Sequence, residues 1–183
     1  MKSLSKTQIV GIIFAVLLSQ VIVYREELIP YRWQTFNSPD GKFSINLPGK
    51  PIVDEGQQVP VAGSDAAIIY GVGTQPNDHV AYNCTYVENA NLITKSPDEL
   101  LRTARDGGLK NAQGTLIAEK QITVDGHPAR DIQAHASGNS AYDVQLVLVG
   151  NRMYMLMVID TSKRSRDAKN VQKFFDSFKT NAK

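Results

Sequence analysis

The sequence contains a single cysteine, Cys84, among its 183 residues. A disulfide within the chain is therefore impossible, and a zinc or redox site built from paired cysteines is excluded. Cys84 alternates with Tyr82 and Tyr86 in a β-rich run. We predict that it is a buried core residue rather than a reactive thiol.

The chain also lacks an excess of either charge. Its 20 Lys and Arg residues stand against 18 Asp and Glu residues, which gives a formal net charge of +2. This balance produces no strong field of the kind that attracts nucleic acid, so we predict no nucleic-acid partner. With 42% hydrophobic and 21% charged residues, the composition is that of a globular protein, and the length suits one domain with an appendage.

Motifs for catalysis and for metal or cofactor binding are missing as well. The histidines His79, His127 and His135 are widely spaced, and no H-x-x-x-H, HExxH, Walker-type or GxSxG element occurs. Gly71-x-Gly73 lies within a predicted strand and lacks the helix of a dinucleotide-binding loop. We predict His127 in a turn and solvent-exposed strand positions for Lys120, Arg130, Asp131, His135 and Asp143. The sequence therefore predicts no enzyme activity, no metal and no cofactor.

An uninterrupted apolar run from Ile9 to Leu18 stands near the N-terminus. Its length fits the apolar core of a signal peptide, about 7 to 15 residues, whereas counting on to Tyr24 brings it near the lower limit of about 17 for a spanning helix. No Ala-x-Ala-like cleavage site lies between Val21 and Pro30. We therefore favour an uncleaved hydrophobic anchor helix over a cleaved signal peptide.

The charges around this segment predict its orientation. Two lysines precede it, whereas Arg25 after it is balanced by Glu26 and Glu27. The positive-inside rule then puts the N-terminus in the cytoplasm and the rest of the chain outside. We predict a single-pass membrane anchor and linker over residues 1–30, followed by one extracytoplasmic domain over residues 31–183.

The domain is predicted to open with a β-hairpin. Trp33 and Phe36 belong to its first strand, Ser-Pro-Asp-Gly supplies the reversal, and apolar residues alternate with polar ones from Phe43 to Leu47. Pro48-Gly49 ends the second strand. Residues 53–66 are predicted as a loop or a weak edge strand.

Three further hairpins join residues 67–74 to 79–88, 115–124 to 128–136, and 141–149 to 152–161. A two-residue turn at Asp125-Gly126 would put the apolar residues of its strands on opposite faces, so we predict a three-residue loop that includes His127. A two-residue turn at Gly150-Asn151 instead aligns Leu148 with Met153 on one wholly apolar face. The strands of this last hairpin are predicted to be central, with packing on both sides.

Two helices are predicted within the domain. Ser96 is the N-cap of the first, with Pro97 at its first position and Glu99 closing a capping box. Its buried stripe is Leu100, Leu101 and Ala104, and Gly107-Gly108 is predicted to end it.

The second helix spans residues 165–179, where four apolar residues follow helical spacing: Val171, Phe174, Phe175 and Phe178. Basic residues crowd this end of the chain: Lys163, Arg164, Arg166, Lys169, Lys173 and Lys179. We interpret them as a solvated helix face, with contact to acidic lipid or a partner as the alternative.

Several of these short motifs resemble bacterial domains with the PsbP-like fold, the fold of the photosystem II extrinsic protein PsbP and of a yeast Ran-binding protein. The resembling segments are the opening hairpin from Trp33 to Pro51, the run from Asp125 to Arg130, Arg152-x-Tyr154 and the run from Phe174 to Phe178. The resemblance implies an α+β fold in which an antiparallel sheet lies between helices, an α/β/α sandwich. It implies no shared catalytic residues.

Two functions remain open at this point. The first is a non-catalytic accessory or assembly module, tethered to the membrane and binding a protein or small ligand. The alternative is a secreted or tethered solute-binding protein whose ligand lies between sheet and helix. The loops after Pro51 and around His127 are the places where we expect a working surface.

Overall fold

The computed structural model of the protein describes residues 32–59, 67–88, 95–136, 140–162 and 167–181. The predicted anchor over residues 1–30 lies outside this part of the chain. Within it, no helix is both long enough and apolar enough to cross a membrane.

The opening hairpin is confirmed. β1 (Trp33–Asn37) and β2 (Phe43–Pro48) pair antiparallel, with Trp33 opposite Pro48. Ser38 closes the turn, because its hydroxyl accepts a 3.0 Å hydrogen bond from the Phe43 N–H. A short strand near the C-terminus, β10 (Lys179–Thr180), adds to β2 and completes a three-stranded sheet.

Seven further strands form one antiparallel sheet: β3 (Ile52–Val59), β4 (Ala67–Asn77), β5 (Val80–Glu88), β6 (Thr115–Val124), β7 (His127–His135), β8 (Ala141–Val149) and β9 (Arg152–Asp160). Their spatial order is β3-β4-β5-β9-β8-β7-β6, so β3 and β6 are its edges. The predicted register of β8 and β9 is confirmed, with Leu148 opposite Met153. Both strands are central and buried on both faces, as predicted.

Two helices complete the described fold, α1 (Pro97–Asn111) and α2 (Ala168–Asp176). Ser96 caps α1 as predicted, accepting a hydrogen bond from the Glu99 N–H. The prediction that Gly107-Gly108 ends α1 is wrong, since the helix continues and Gly108 is buried within it. The left-handed residue comes later, at Gln113, whose φ is 48°. α2 is shorter than predicted and ends before Phe178, which is nevertheless buried.

The layers differ from the predicted α/β/α sandwich. α1 covers one face of the large sheet through Leu100, Leu101 and Ala104. The other face is covered by the β1–β2 hairpin together with α2. The prediction of a helical layer on each face is therefore wrong for this second face, because Phe43, Ile45 and Leu47 of β2 supply much of its buried apolar surface. The fold is mostly antiparallel β-sheet with two helices.

The three-residue loop predicted between β6 and β7 is also wrong. Val124 pairs with His127 across a two-residue turn, in which Asp125 and Gly126 have φ values of 50° and 84°. Positive φ at both positions is the requirement of a type I′ hairpin turn. A bulge between Leu116 and Ala118 absorbs the register conflict, so the apolar residues of β6 are divided between the two faces of the sheet.

Candidate functional site

Arg152, one of two buried arginines in the described part of the chain, joins the opening hairpin to the large sheet. Its Nη2 donates to Asp40 Oδ2 at 2.7 Å, and its Nε donates to Glu88 Oε1 at 2.8 Å. The guanidinium also lies over the Tyr86 ring, with Cζ 4.1 Å from the ring centroid. Burial opposes the charge of Arg152, but hydrogen bonds to Asp40, Tyr154 and Glu88 raise its pKa above the ordinary value.

The cluster around Arg152 brings together residues from separate short motifs that resemble PsbP-like domains. Asp40 comes from the hairpin turn, while Arg152 and Tyr154 come from β9, so the motif residues meet although they are far apart in sequence. Burial raises the pKa of Tyr86 and of Tyr154 to about 12, so both remain neutral hydroxyls at physiological pH. The cluster holds the two sheets together.

The second buried arginine, Arg130, was predicted to be exposed and is only 5% exposed. It lies on the face of the sheet that α1 covers, where its Nη1 donates to Glu119 and its Nη2 donates to Asp98 Oδ1 at 2.5 Å. Arg105 of α1 donates to the same Glu119 carboxylate. Burial is possible because each guanidinium is ion-paired, which offsets the cost of removing it from water.

An open cleft of about 470 Å³ adjoins this network, between the N-terminus of α1 and the end of the β6–β7 hairpin. Arg130 lines it, and its Nε is buried without a hydrogen-bond partner. Gln121 at the rim donates to Asp98 at 2.6 Å, and Thr123 and Pro128 of the hairpin are exposed beside it. We call this feature the α1 cleft.

The α1 cleft lies against β6, an edge strand of the large sheet. An edge strand presents N–H and C=O groups that no neighbouring strand pairs, and such an edge can accept an added strand from another chain. Two large apolar side chains are exposed at the bulge of the same strand, Leu116 at 39% and Ile117 at 56%. Among the described strands, β6 therefore combines exposed apolar side chains with a backbone edge that no neighbouring strand pairs.

A smaller cavity of about 30 Å³ lies between the C-terminal half of α1 and the sheet. Its lining is almost wholly apolar and includes Leu109, Tyr142 and His135, whose Nδ1 is buried without a partner. A drug-sized ligand requires about 300 to 1,000 Å³, whereas a single ordered water fits within about 10 to 15 Å³. The space between sheet and helix is too small for a drug-sized solute.

The other residues singled out in the sequence do not come together in one place. Cys84 is 0% exposed, which confirms it as a core residue, and burial raises the pKa of its thiol. Lys120 is exposed as predicted, whereas Asp143 is buried, because it lies on the hairpin face between Gln133 and Val158 of the neighbouring strands. His127 begins β7 rather than lying in the turn.

His79 is exposed between β4 and β5, and both Asp131 and His135 are half-buried rather than exposed. In the described part of the chain, no group of three or more His, Cys, Asp or Glu residues is arranged to hold a metal ion.

Comparison with known proteins places this geometry in a family. A sequence profile described as "PsbP-like protein" matches residues 21–180. Cyanobacterial PsbP (CyanoP) from Synechocystis sp. PCC 6803 is similar in structure, with a TM-score of 0.56 and 10% sequence identity over 87% of this chain and 98% of that chain. At this identity the likeness shows the fold alone.

A Pseudomonas aeruginosa protein of unknown function, PA94, aligns with a TM-score of 0.37 and 11% identity over 71% of this chain and 83% of that chain, too weakly to carry an argument. No curated protein sequence matches the chain. The profile match covers most of the sequence and agrees with the observed fold, and the chain belongs to the PsbP-like protein family.

Proposed function

We propose that this domain is a non-catalytic accessory module that binds a partner protein at the α1 cleft, outside the cytoplasm and tethered by the apolar N-terminal segment. Membership of the PsbP-like family favours an accessory domain over an enzyme. The fold leaves Cys84 and both buried arginines committed to packing or ion pairs, so these groups are not available for chemistry.

The observation that carries the proposal is the position of the α1 cleft beside the sheet edge formed by β6. A volume of about 470 Å³ lies within the range of binding pockets, about 300 to 1,000 Å³. The adjoining edge strand offers main-chain hydrogen bonds to an extended segment, and the cleft offers polar side chains that can select it. Rigid elements on both sides hold this geometry, since Arg130 links α1 to β7.

The alternative is a secreted or tethered protein that binds a small solute. Its expected location, between the large sheet and a helix, contains only the cavity of about 30 Å³. The α1 cleft has enough volume for a small ligand, but part of its lining is the edge strand β6. An open cleft along a strand edge favours an extended peptide over an enclosed solute.

Site-specific photo-crosslinking in the native membrane tests the proposal. A photoreactive residue replaces Thr123, which is exposed at the rim of the α1 cleft, and in a matched chain it replaces Gln34, which is exposed on β1. We expect a discrete protein adduct from position 123 and none from position 34. The same adducts from both positions contradict the cleft as the contact site. A copurifying small molecule without any protein adduct supports the solute-binding alternative.

The tether has a separate test. The intact mass of the chain extracted from membranes should equal that of the whole sequence, because no Ala-x-Ala-like cleavage site follows the apolar run. A mature chain that begins after Val21 contradicts the tether without affecting the proposal for the α1 cleft.

A further inference from the structure

Four exposed basic residues lie on the two elements that meet at Trp33, the opening hairpin and α2. Arg32 precedes Trp33, and its carbonyl accepts a 3.1 Å hydrogen bond from the Gly49 N–H, which brings Lys50 to the same end of the hairpin. Lys169 and Lys173 of α2 complete the group. We call Arg32, Lys50, Lys169 and Lys173 the basic collar.

One member of the collar, Lys173, contacts the tryptophan directly. Lys173 Nζ lies 4.4 Å from the centroid of the Trp33 ring. Lys169 lies one helical turn before Lys173, on the same side of α2. The Trp33 ring is half-buried, and it packs edge-on against Tyr82 with 5.9 Å between ring centroids. An amphipathic ring is thereby fixed at the surface and flanked by positive charge.

The four collar residues are exposed, so an external partner can reach them. Among the described residues, none of the four forms an ion pair with a carboxylate. The two acidic residues of the α2 region are engaged locally: Asp167 accepts hydrogen bonds from Asn170, and Asp176 accepts one from Gln172.

The sequence places this surface close to the apolar N-terminal segment. Tyr24, at the end of that segment, precedes Trp33 by nine residues, and nine residues reach at most about 30 Å. Tryptophan collects at membrane–water interfaces. Exposed Lys and Arg side chains within about a Debye length of an anionic lipid surface are attracted to it.

We propose that the basic collar and Trp33 bind an anionic lipid surface. α2 and the hairpin lie on one face of the large sheet, and α1 lies on the other. Contact through the collar therefore turns α1 away from the lipid, which leaves the α1 cleft open to a partner. This inference rests on the proposed function only because that proposal places the domain near a membrane. Beyond that proposal, it identifies the surface through which the domain would be oriented on the lipid.

Trp33 reports on this contact without a label, because it is the only tryptophan in the chain. The full chain is reconstituted into vesicles of phosphatidylcholine alone or phosphatidylcholine with phosphatidylglycerol, each containing brominated lipid as a quencher. We expect strong quenching of Trp33 emission in the anionic vesicles and weak quenching in the neutral ones. Added salt should reverse the quenching, because the Debye length falls from about 10 Å at 0.1 M to about 3 Å at 1 M.

A pair of charge reversals makes the test specific. Lys50→Glu with Lys169→Glu reverses two collar charges but leaves Lys173, which lies against the Trp33 ring, unsubstituted. We expect this variant to lose the extra quenching in anionic vesicles. The matched control, Lys110→Glu with Lys120→Glu, makes the same charge change at exposed positions of α1 and β6. We expect this control to retain the extra quenching in anionic vesicles.

Two results overturn the inference: equal quenching in both vesicle types, or equal loss in the collar and control variants. Alkaline carbonate releases proteins that do not span the membrane. If it releases the reconstituted chain, the result contradicts the tether but not the collar. In that case the chain is added to preformed vesicles, and the same quenching comparison still tests the collar.

Discussion

The guanidinium of Arg152 lies over the ring of Tyr86, with 4.1 Å between Cζ and the ring centroid. Tyr70 stacks on the same tyrosine, with 5.0 Å between the two ring centroids. The Arg152 side chain is only 5% exposed, whereas its partners Asp40 and Glu88 are 32% and 40% exposed. The cation is therefore the buried member of the cluster, and its carboxylate partners reach solvent.

Replacing this cation with an apolar side chain of similar length should destabilise the domain. We expect Arg152→Met to lower the free energy of unfolding by about 2 to 4 kcal/mol, because it removes the buried half of an ion pair and a cation–π contact. Lys42→Met is the matched control. It also removes a cation from Glu88, but that pair is exposed on both sides and should contribute less than about 1 kcal/mol. Urea unfolding of both variants, followed by circular dichroism, checks the difference, and equal losses contradict it.

The same cluster predicts how stability depends on pH. Burial opposes ionisation of Asp40, but hydrogen bonds from Ser38 and Arg152 outweigh it and lower its pKa below the ordinary value of 3.8. A hydrogen bond from Lys42 and the contact with Arg152 lower the pKa of Glu88 below 4.5. Their contribution to stability is therefore complete above these ordinary values, and it is lost as pH falls through the lowered ones.

Urea unfolding at a series of pH values below 5 checks this direction. Stability should fall with decreasing pH, and the fall should be shallower in Arg152→Met, because the variant removes a cation that lowers both pKa values. An unchanged slope in the variant contradicts the assignment.

Sequence patterns predicted the hairpins well because their information is local. In β8 and β9, alternation on both sides of Gly150-Asn151 leaves one register that puts Leu148 opposite Met153, and the structure has that register. The N-cap at Ser96 was predicted for the same reason, because its hydrogen-bond partner, Glu99, lies only three residues away. Where two local rules conflicted, as in β6, the sequence could not show that a bulge near Ile117 would resolve the conflict.

The buried charges could not be predicted, because their partners are distant in the chain. Arg130 reaches Asp98 across 32 residues and Arg152 reaches Asp40 across 112. A strand pattern alone makes each arginine look like an exposed polar position. The α1 cleft and the basic collar were predicted only in part, since each is assembled from separate elements of the fold. The sequence pointed to the turn near His127 and to the lysines of α2, but not to the residues of α1 and of the opening hairpin that complete these surfaces.

A close approach between β4 and β5 predicts a second sensitive position. A methyl group at Gly73 would lie 2.3 Å from Asn83 Oδ1 and 2.9 Å from the Tyr82 carbonyl oxygen, and the backbone must shift to admit it. We expect Gly73→Ala to cost about 1 to 3 kcal/mol of stability by overpacking. Gly71→Ala in the same strand is the control, since its nearest contact is 3.2 Å from a Thr85 methyl group. A smaller loss at Gly71, measured by urea unfolding, is the expected result, and the reverse order contradicts it.

The thiol of Cys84 should react only when the domain opens. It is 0% exposed, and burial raises its pKa, so neither access nor the thiolate needed for reaction is available in the folded state. We expect disulfide-exchange labelling of the native chain to be slower than that of the urea-unfolded chain by about 1,000-fold or more, in line with ordinary domain stabilities of about 5 to 15 kcal/mol. Arg152→Met should speed native labelling by about 30- to 1,000-fold, the equivalent of its expected loss of stability. If native labelling is fast and Arg152→Met does not change it, the structure around Cys84 opens locally, without disruption of the Arg152 cluster between the two sheets.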